Sequence, residues 1–117
     1  MAYDIWGYRA TSKYAPGADL VGYRVEAVDG SIGKVAAATE EVGSAHLIVD
    51  TGPWIFGKHV MLPAGVVQEV DPAEQRVYVD RTKEEIKSAP RYDAGFHHED
   101  VGYREKLGHY YGPFYLR

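Results

Sequence analysis

The chain has 117 residues, a mass of 13.0 kDa and a formal net charge of -4 at pH 7. This length fits one domain with a modest core, and the acidic balance argues against a nucleic acid or an anionic membrane held by bulk electrostatics. The absence of cysteine excludes disulfides, thiolate metal sites and cysteine nucleophiles. No apolar run approaches the roughly 20 residues that span a bilayer, and the first residues lack the apolar stretch of a signal peptide. We therefore expect a cytoplasmic protein without a membrane span.

A β-hairpin is the first regular structure that the sequence predicts. Residues 23–28 favour a strand, and they lead into Asp29-Gly30, a dipeptide that between β-prone runs is a strong hairpin signal. The partner strand covers residues 32–41. Gly33 inside it predicts a bulge or a close approach of two backbones, because glycine weakens a strand that has no such need.

Four more short strands are predicted after the hairpin, with turns between them. Pro63 ends the second of the four, because proline cannot donate to a central ladder. Short strands at regular spacing predict a mainly β fold, either a small antiparallel barrel or a sandwich. A closed small barrel fills its interior with side chains, which leaves little room for a buried active site. The predicted strands are residues 46–50, 58–62, 66–70 and 76–80.

Two helices are predicted after the last strand. The first begins with a capping box, in which Thr82 is the N-cap and Glu85 reaches back to it. It is short, because Pro90 disfavours the helical conformation at the residue before it. A weaker second helix covers residues 99–107, and Gly108 is its predicted stop.

A set of short motifs occurs in one order along residues 20–92, and as a set they resemble the PRC-barrel family. The family is named from the cytoplasmic domain of the photosynthetic reaction centre H subunit. The resemblance does not cover the ends of the chain. The chain therefore divides into an N-terminal arm at 1–19, a barrel domain at 20–92 and a C-terminal arm at 93–117. The motifs are LVG at 20–22, VDG at 28–30, IGKV at 32–35, LIVD at 47–50, VMLP at 60–63, RVYV at 76–79 and TKEEIKSAP at 82–90.

The resemblance implies a small PRC-type β-barrel that serves assembly or interaction. Members of the family occur as a reaction-centre domain, as the C-terminal half of a ribosome maturation factor and as short stand-alone proteins. This chain looks like the stand-alone class. The family carries no catalytic motif, so the resemblance implies a protein that is not an enzyme and has no catalytic, cofactor-binding or metal-binding residue.

Aromatic residues are concentrated at the two ends of the chain, which hold seven of its ten tyrosines. Disordered tails are normally poor in aromatics, so these rings are expected to pack on the barrel, on each other or on a second subunit. Trp54 and Phe56 either cover the open end of the barrel or contact a partner. Our leading hypothesis is a non-enzymatic interaction module that self-associates, with a homodimer favoured. Its predicted interaction residues are Trp6, Trp54, Phe56, Tyr103, Tyr110, Tyr111, Phe114 and Tyr115.

Two other classes of function stay open from the sequence. One is a ribosome- or RNA-associated accessory protein, which the acidic charge disfavours. The other is a small-ligand binder or an enzyme, for which His46 and His59 are candidate general bases, although ordinary strand residues are the simpler interpretation. His97 and His98 are followed by two acids, and imidazole and carboxylate groups are ligand types that suit zinc or nickel. Adjacent residues cannot easily turn toward one ion. We therefore interpret this run as a polar linker.

Overall fold

The computed structural model describes residues 4–52, 59–90 and 101–115. Six strands in this part of the chain form one sheet, in the order β4-β3-β2-β1-β6-β5. The predicted strands are all present, with ends that differ by one or two residues. Their bounds are β1 Arg24–Ala27, β2 Gly30–Thr39, β3 His46–Asp50, β4 His59–Pro63, β5 Val67–Asp71 and β6 Arg76–Val79.

The sheet is mixed and open, which corrects the prediction of an antiparallel closed barrel. β1 and β6 run parallel, with Val25 opposite Val77, while the other pairings in the described residues are antiparallel. The hydrogen-bonded order ends at β4 on one side and β5 on the other. These two strands are joined by a single 3-10 turn, Ala64–Val66, and the backbone of Ile5 lies against that turn, where the N–H of Gly65 donates to its carbonyl oxygen at 2.8 Å.

Bulges bend the strands, and the first of them lies beside Gly33. Val25 pairs with Gly33 but Glu26 pairs with Ser31, so β2 carries one extra residue at this point. The backbone of Gly33 has φ 151°, and a Cβ there would lie 2.0 Å from the carbonyl oxygen of Asp50 on β3. Both expectations for this glycine, a bulge and a close backbone approach, are therefore confirmed.

Two helices follow the sheet. α1, Lys83–Lys87, begins at Thr82 with both bonds of the predicted capping box. α2 covers Val101–Tyr111 and continues into a 3-10 turn at Gly112–Tyr115. Gly108 lies inside α2, so its prediction as a helix stop is wrong. A Cβ on Gly108 would lie 3.2 Å from Nε1 of Trp6, so glycine here admits the indole of the N-terminal segment. In the part of the chain described, neither helix is long and apolar enough to cross a membrane.

Both terminal segments pack on the chain's own sheet. Ile5 is buried in the N-terminal segment, and Leu107 and Tyr111 are fully buried on α2. These side chains share one core with the inward faces of the strands, so the described rings of the two ends dock within the chain. The largest fully buried side chains are Tyr111, Leu20, Leu47, Met61, Leu62, Ile86 and Leu107, followed by valines of the sheet.

Replacement of Gly33 by alanine tests the close approach of β2 and β3. The new Cβ would collide with backbone of β3, which cannot rotate away. Gly17→Ala is the matched control, because Gly17 also has a positive φ, 85°, but open space around it. We expect Gly17→Ala to cost about 1–2 kcal/mol from backbone strain and Gly33→Ala to cost clearly more. Urea unfolding of both variants measures the difference, and equal costs would contradict the close approach.

Replacement of Leu107 by alanine tests whether α2 belongs to the core of a single chain. Its side chain is fully buried, so we expect a loss of about 2–5 kcal/mol in the free energy of unfolding. Lys106→Ala, one residue away on the exposed side of the helix, should change it by about 0.5 kcal/mol or less. Denaturant titrations at several protein concentrations give both values. A Leu107→Ala effect that disappears on dilution would show instead that α2 packs between copies.

Candidate functional site

A cleft among the described residues lies between the N-terminal segment and the loop that joins β2 to β3. It has a volume of about 490 Å³ and a mostly apolar lining. A backbone hydrogen bond positions its two sides, since the N–H of Ala45 donates to the carbonyl oxygen of Trp6 at 3.0 Å. We call it the N-terminal cleft. Its side-chain walls come from Asp4, Trp6, Tyr8, Tyr14, Pro16, Glu40, Glu41 and Val42.

Aromatic rings fix the shape of the N-terminal cleft. Tyr8 and Tyr14 stack with ring centroids 3.8 Å apart and planes 7° from parallel. Trp6 meets the ring of His46 edge-on at 6.3 Å and packs against Gly108 of α2. Each of these rings is therefore in contact with another group of the chain.

The lip of the cleft is an exposed apolar side chain. Val42 lies at the turn between β2 and β3 and is 99% exposed. It borders the cleft together with Gly43. An apolar group that gains no burial within its own chain is available to a partner, and burying a valine there would contribute about 1.5 kcal/mol or more.

The charged groups in the lining of the cleft are all acidic. Asp4 accepts the backbone N–H of Trp6 at 3.0 Å. Glu40 accepts the backbone N–H of Gly17 at 2.9 Å and the hydroxyl of Tyr14. These two donors, the Gly17 N–H first, hold the pKa of the Glu40 carboxyl below its ordinary value. Glu40 is therefore a carboxylate at neutral pH.

The tyrosine hydroxyls of the cleft stay protonated well into alkaline conditions. Burial, followed by the hydrogen bond to Glu40, raises the pKa of Tyr14 to about 12. Burial also raises the pKa of Tyr8. The Tyr8 hydroxyl is buried and has no hydrogen-bond partner among the described residues.

The cationic side chains of the N-terminal segment turn away from the cleft. Arg9 donates from Nη2 to Asp80 at 2.5 Å and from Nε to the carbonyl oxygen of Gly65 at 3.0 Å. Lys13 lies 3.5 Å from a carboxylate oxygen of Glu69 on β5. Neither cation lines the cleft, so its acids are not neutralised by these two neighbours in sequence.

The C-terminal residues that the sequence singled out do not form one exposed surface. Tyr103 is 5% exposed and Tyr111 fully buried, so both rings belong to the core of the chain. The Tyr103 hydroxyl donates to the carbonyl oxygen of Pro90 at 2.9 Å. These two side chains are not accessible to another molecule in this conformation.

The remaining C-terminal rings hold the segment after α2 against α1 and β6. The Tyr110 hydroxyl donates to the carbonyl oxygen of Glu85 at 2.6 Å, and the Tyr115 hydroxyl donates to Asp80 at 2.5 Å. Phe114 is 39% exposed and lies under the guanidinium of Arg81, 4.5 Å from the ring centroid. Of the predicted interaction residues that the structure describes, Trp6 alone lines the N-terminal cleft.

Other predicted sites lie outside the described residues or away from the cleft. Trp54, Phe56, His97 and His98 fall outside the part that the structure describes, so the interpretation of the run at His97 and His98 as a polar linker is not tested. His46 is 3% exposed, and its Nδ1 bonds the carbonyl oxygen of Ser44 at 2.6 Å. His59 stands on β4 opposite Asp50. Among the described residues no three His, Asp or Glu side chains are close enough to hold a metal ion.

A second depression, of about 250 Å³, lies on the sheet and is polar. The register places Lys34, Arg24 and Arg76 side by side across β2, β1 and β6. Acidic residues flank this row. Asp50 on β3 lies opposite Lys34 in the strand register, and Asp71 on β5 lies opposite Arg76. Arg76 also lies 3.3 Å from a carboxylate oxygen of Glu26. The opposite charges balance, so this row fits a solvated face of the sheet.

Sequence reasoning missed most of the N-terminal cleft. It noted that tyrosines are enriched before the first strand but named neither Tyr8 nor Tyr14 as site residues. It treated the loop after β2 only as a turn, although Val42 is a bulky apolar residue in a position where turns are normally polar. This apolar residue at a turn was the feature of the sequence that could have identified Val42 as a site residue. No spacing rule indicates that this loop lies opposite residues more than twenty positions earlier in the chain.

Comparison with known proteins gives no assignment for this arrangement. No protein-family model matches the chain, and no curated protein matches it. The resemblance to the PRC-barrel family stays a prediction that depends on the motifs quoted above.

Replacement of Tyr14 by phenylalanine tests the electrostatics of the cleft. The change removes one of the two donors to Glu40, so the pKa of Glu40 should rise toward its ordinary value while remaining below it. A carboxyl with a lowered pKa stabilises the fold above its unfolded-state pKa, and that stabilisation is lost as pH falls through the folded pKa. In Tyr14→Phe this stabilisation should therefore be smaller, and its loss should be complete at a higher pH.

Carboxyl-carbon NMR titration of Glu40 gives the pKa directly in the parent chain and in the variant. Tyr23→Phe is the control, because the hydroxyl donor to Glu40 is Tyr14 and not Tyr23. An unchanged Glu40 titration in Tyr14→Phe would contradict the hydrogen bond on which the wall of the cleft depends.

Proposed function

We propose that this chain is a non-enzymatic protein-interaction module and that it takes up a segment of a partner in the N-terminal cleft. The single observation that carries the proposal is an aromatic cleft, formed by contacts within the chain, with an exposed apolar lip. Tyrosine and tryptophan supply large, rigid contact area at low entropic cost, which is why they dominate protein recognition surfaces.

The form of the cleft favours a polypeptide over a small molecule. A small-molecule site buries most of its ligand's surface, whereas Val42 at the lip is almost fully exposed and would cover little of a compact ligand. An extended segment could pass over Val42 and place one side chain among the rings below it. Such a segment needs no preformed enclosure, because it supplies apolar surface along its own length.

Catalysis is not supported by the histidines that the sequence offered. The ring of His46 is buried and bonded to a backbone carbonyl, and His59 lies on β4, a strand that does not line the cleft. A general base must come within about 3 Å of the proton that it removes. Neither ring is in a position to do this for a ligand in the N-terminal cleft.

The finer parts of the hypothesis belong to the same proposal. The order of hairpin, strands and capped helix supports a PRC-type assembly module, and the lack of cysteine favours the cytoplasm. Self-association as a homodimer stays a prediction. Tyr103 and Tyr111 are not candidates for its anchors, since both are buried in their own chain, so a dimer interface would have to use other surface.

Selection of peptides against the purified full chain tests the proposal, with two exposed valines as a matched pair. Val42 lies at the lip of the cleft and Val28 at the β1–β2 turn, 67% exposed. Both can be replaced by aspartate with little effect on folding. We expect peptides selected on the parent chain to lose at least tenfold in affinity for Val42→Asp, equivalent to about 1.4 kcal/mol, and to bind Val28→Asp normally.

Isothermal titration calorimetry measures these affinities, and circular dichroism checks that both variants are folded. Equal binding by parent and Val42→Asp chains would place the interaction surface elsewhere. Failure to select any peptide would remove the proposed function itself.

A further inference from the structure

We propose that the partner segment carries an arginine, and that its guanidinium enters the N-terminal cleft beside the carboxylates of Glu41, Glu40 and Asp4. This inference rests on the proposed function and adds the chemistry by which the cleft selects its ligand. The described residues that line the cleft contribute three acidic side chains and no Lys or Arg. A cationic group is therefore the charge-complementary occupant.

Local hydrogen bonds hold two of these acids in place. Asp4 is fixed by the N–H of Trp6 and Glu40 by the N–H of Gly17. Glu41 accepts no hydrogen bond in its carboxylate among those described, and its side chain is exposed. Glu41 can therefore turn to a ligand with two free oxygens, which suits the paired N–H groups of a guanidinium.

The aromatic walls favour arginine over lysine. A guanidinium is planar, weakly hydrated and able to stack on aromatic faces, whereas an ammonium is compact and strongly hydrated. The rings of Trp6, Tyr8 and Tyr14 line the same cleft as the acids, and cations are attracted to the faces of such rings.

No Lys or Arg of the described residues fills this place. Arg9 and Lys13, the basic residues of the N-terminal segment, are engaged with Asp80 and Glu69 on the other side of that segment. The tyrosine hydroxyls stay neutral at physiological pH, because burial raises the pKa of both Tyr8 and Tyr14. The acidic side chains, and not the tyrosine hydroxyls, are therefore the source of negative charge in the cleft.

Peptides that differ in one side chain test the inference. A selected peptide is synthesised with arginine, lysine, citrulline or norleucine at its basic position; citrulline keeps the shape of arginine but has no charge. We expect the arginine peptide to bind most tightly, lysine several-fold more weakly, and citrulline and norleucine at least tenfold more weakly. A citrulline peptide that binds as tightly as the arginine peptide would overturn the inference.

Charge reversal on the protein gives the reciprocal test. Glu41→Lys should weaken the arginine peptide by about threefold to tenfold at low salt, the range for an exposed ion pair and its repulsive replacement. Glu105→Lys is the matched control, since Glu105 is an exposed acid on α2 outside the lining of the cleft. Equal effects of the two reversals would mean that net charge, and not the cleft, attracts the peptide, and would overturn the inference.

The two proposals fail in different ways. If Val42→Asp abolishes binding while citrulline and arginine peptides bind alike, the cleft is an interaction site without cation selectivity. If Val42→Asp has no effect on any peptide, the proposed function is wrong and the inference is wrong with it.

Discussion

The attachment of the N-terminal segment to the sheet is the constraint on which the rest of this structure depends. Two backbone bonds fix it, one from Ala45 to Trp6 and one from Gly65 to Ile5. They place the segment against the turn that joins the two edge strands of the open sheet, and they bury Ile5 in the core. The same bonds put Trp6 opposite the β2–β3 loop. The contacts that hold the N-terminal segment on the sheet therefore also form one wall of the cleft.

A single carboxylate ties the two ends of the chain together. Asp80 accepts from Arg9 of the N-terminal segment and from Tyr115 after α2, and the guanidinium of Arg9 lies 5.4 Å from the ring centroid of Tyr115. Such a partly buried network is worth more than separate exposed pairs, because each member orients the next. It explains how aromatic-rich ends become ordered within one chain.

The sequence predicted local structure well and long-range pairing poorly. The capping box of Thr82 and the bulge at Gly33 were predictable, because each depends on residues within a few positions or on a property of glycine. The parallel pairing of β1 with β6 was not, because the signals for a strand say nothing about its partner's direction. The prediction that Gly108 stops a helix was wrong for a related reason. A glycine near a helix end usually stops the helix, but here Gly108 faces Trp6 of the N-terminal segment and α2 continues to Tyr111.

By itself, the sequence determined that the chain is mainly β, that it has short strands with a capped helix, and that its aromatic ends must be buried somewhere. Hydrophobic alternation, turn chemistry and the cost of exposing rings to water are properties of short stretches of chain, so they can be read without a structure. Tertiary structure alone decided where those rings went. Tyr111 entered the core while Tyr8 and Tyr14 stacked at the surface, because burial depends on which segments meet in space.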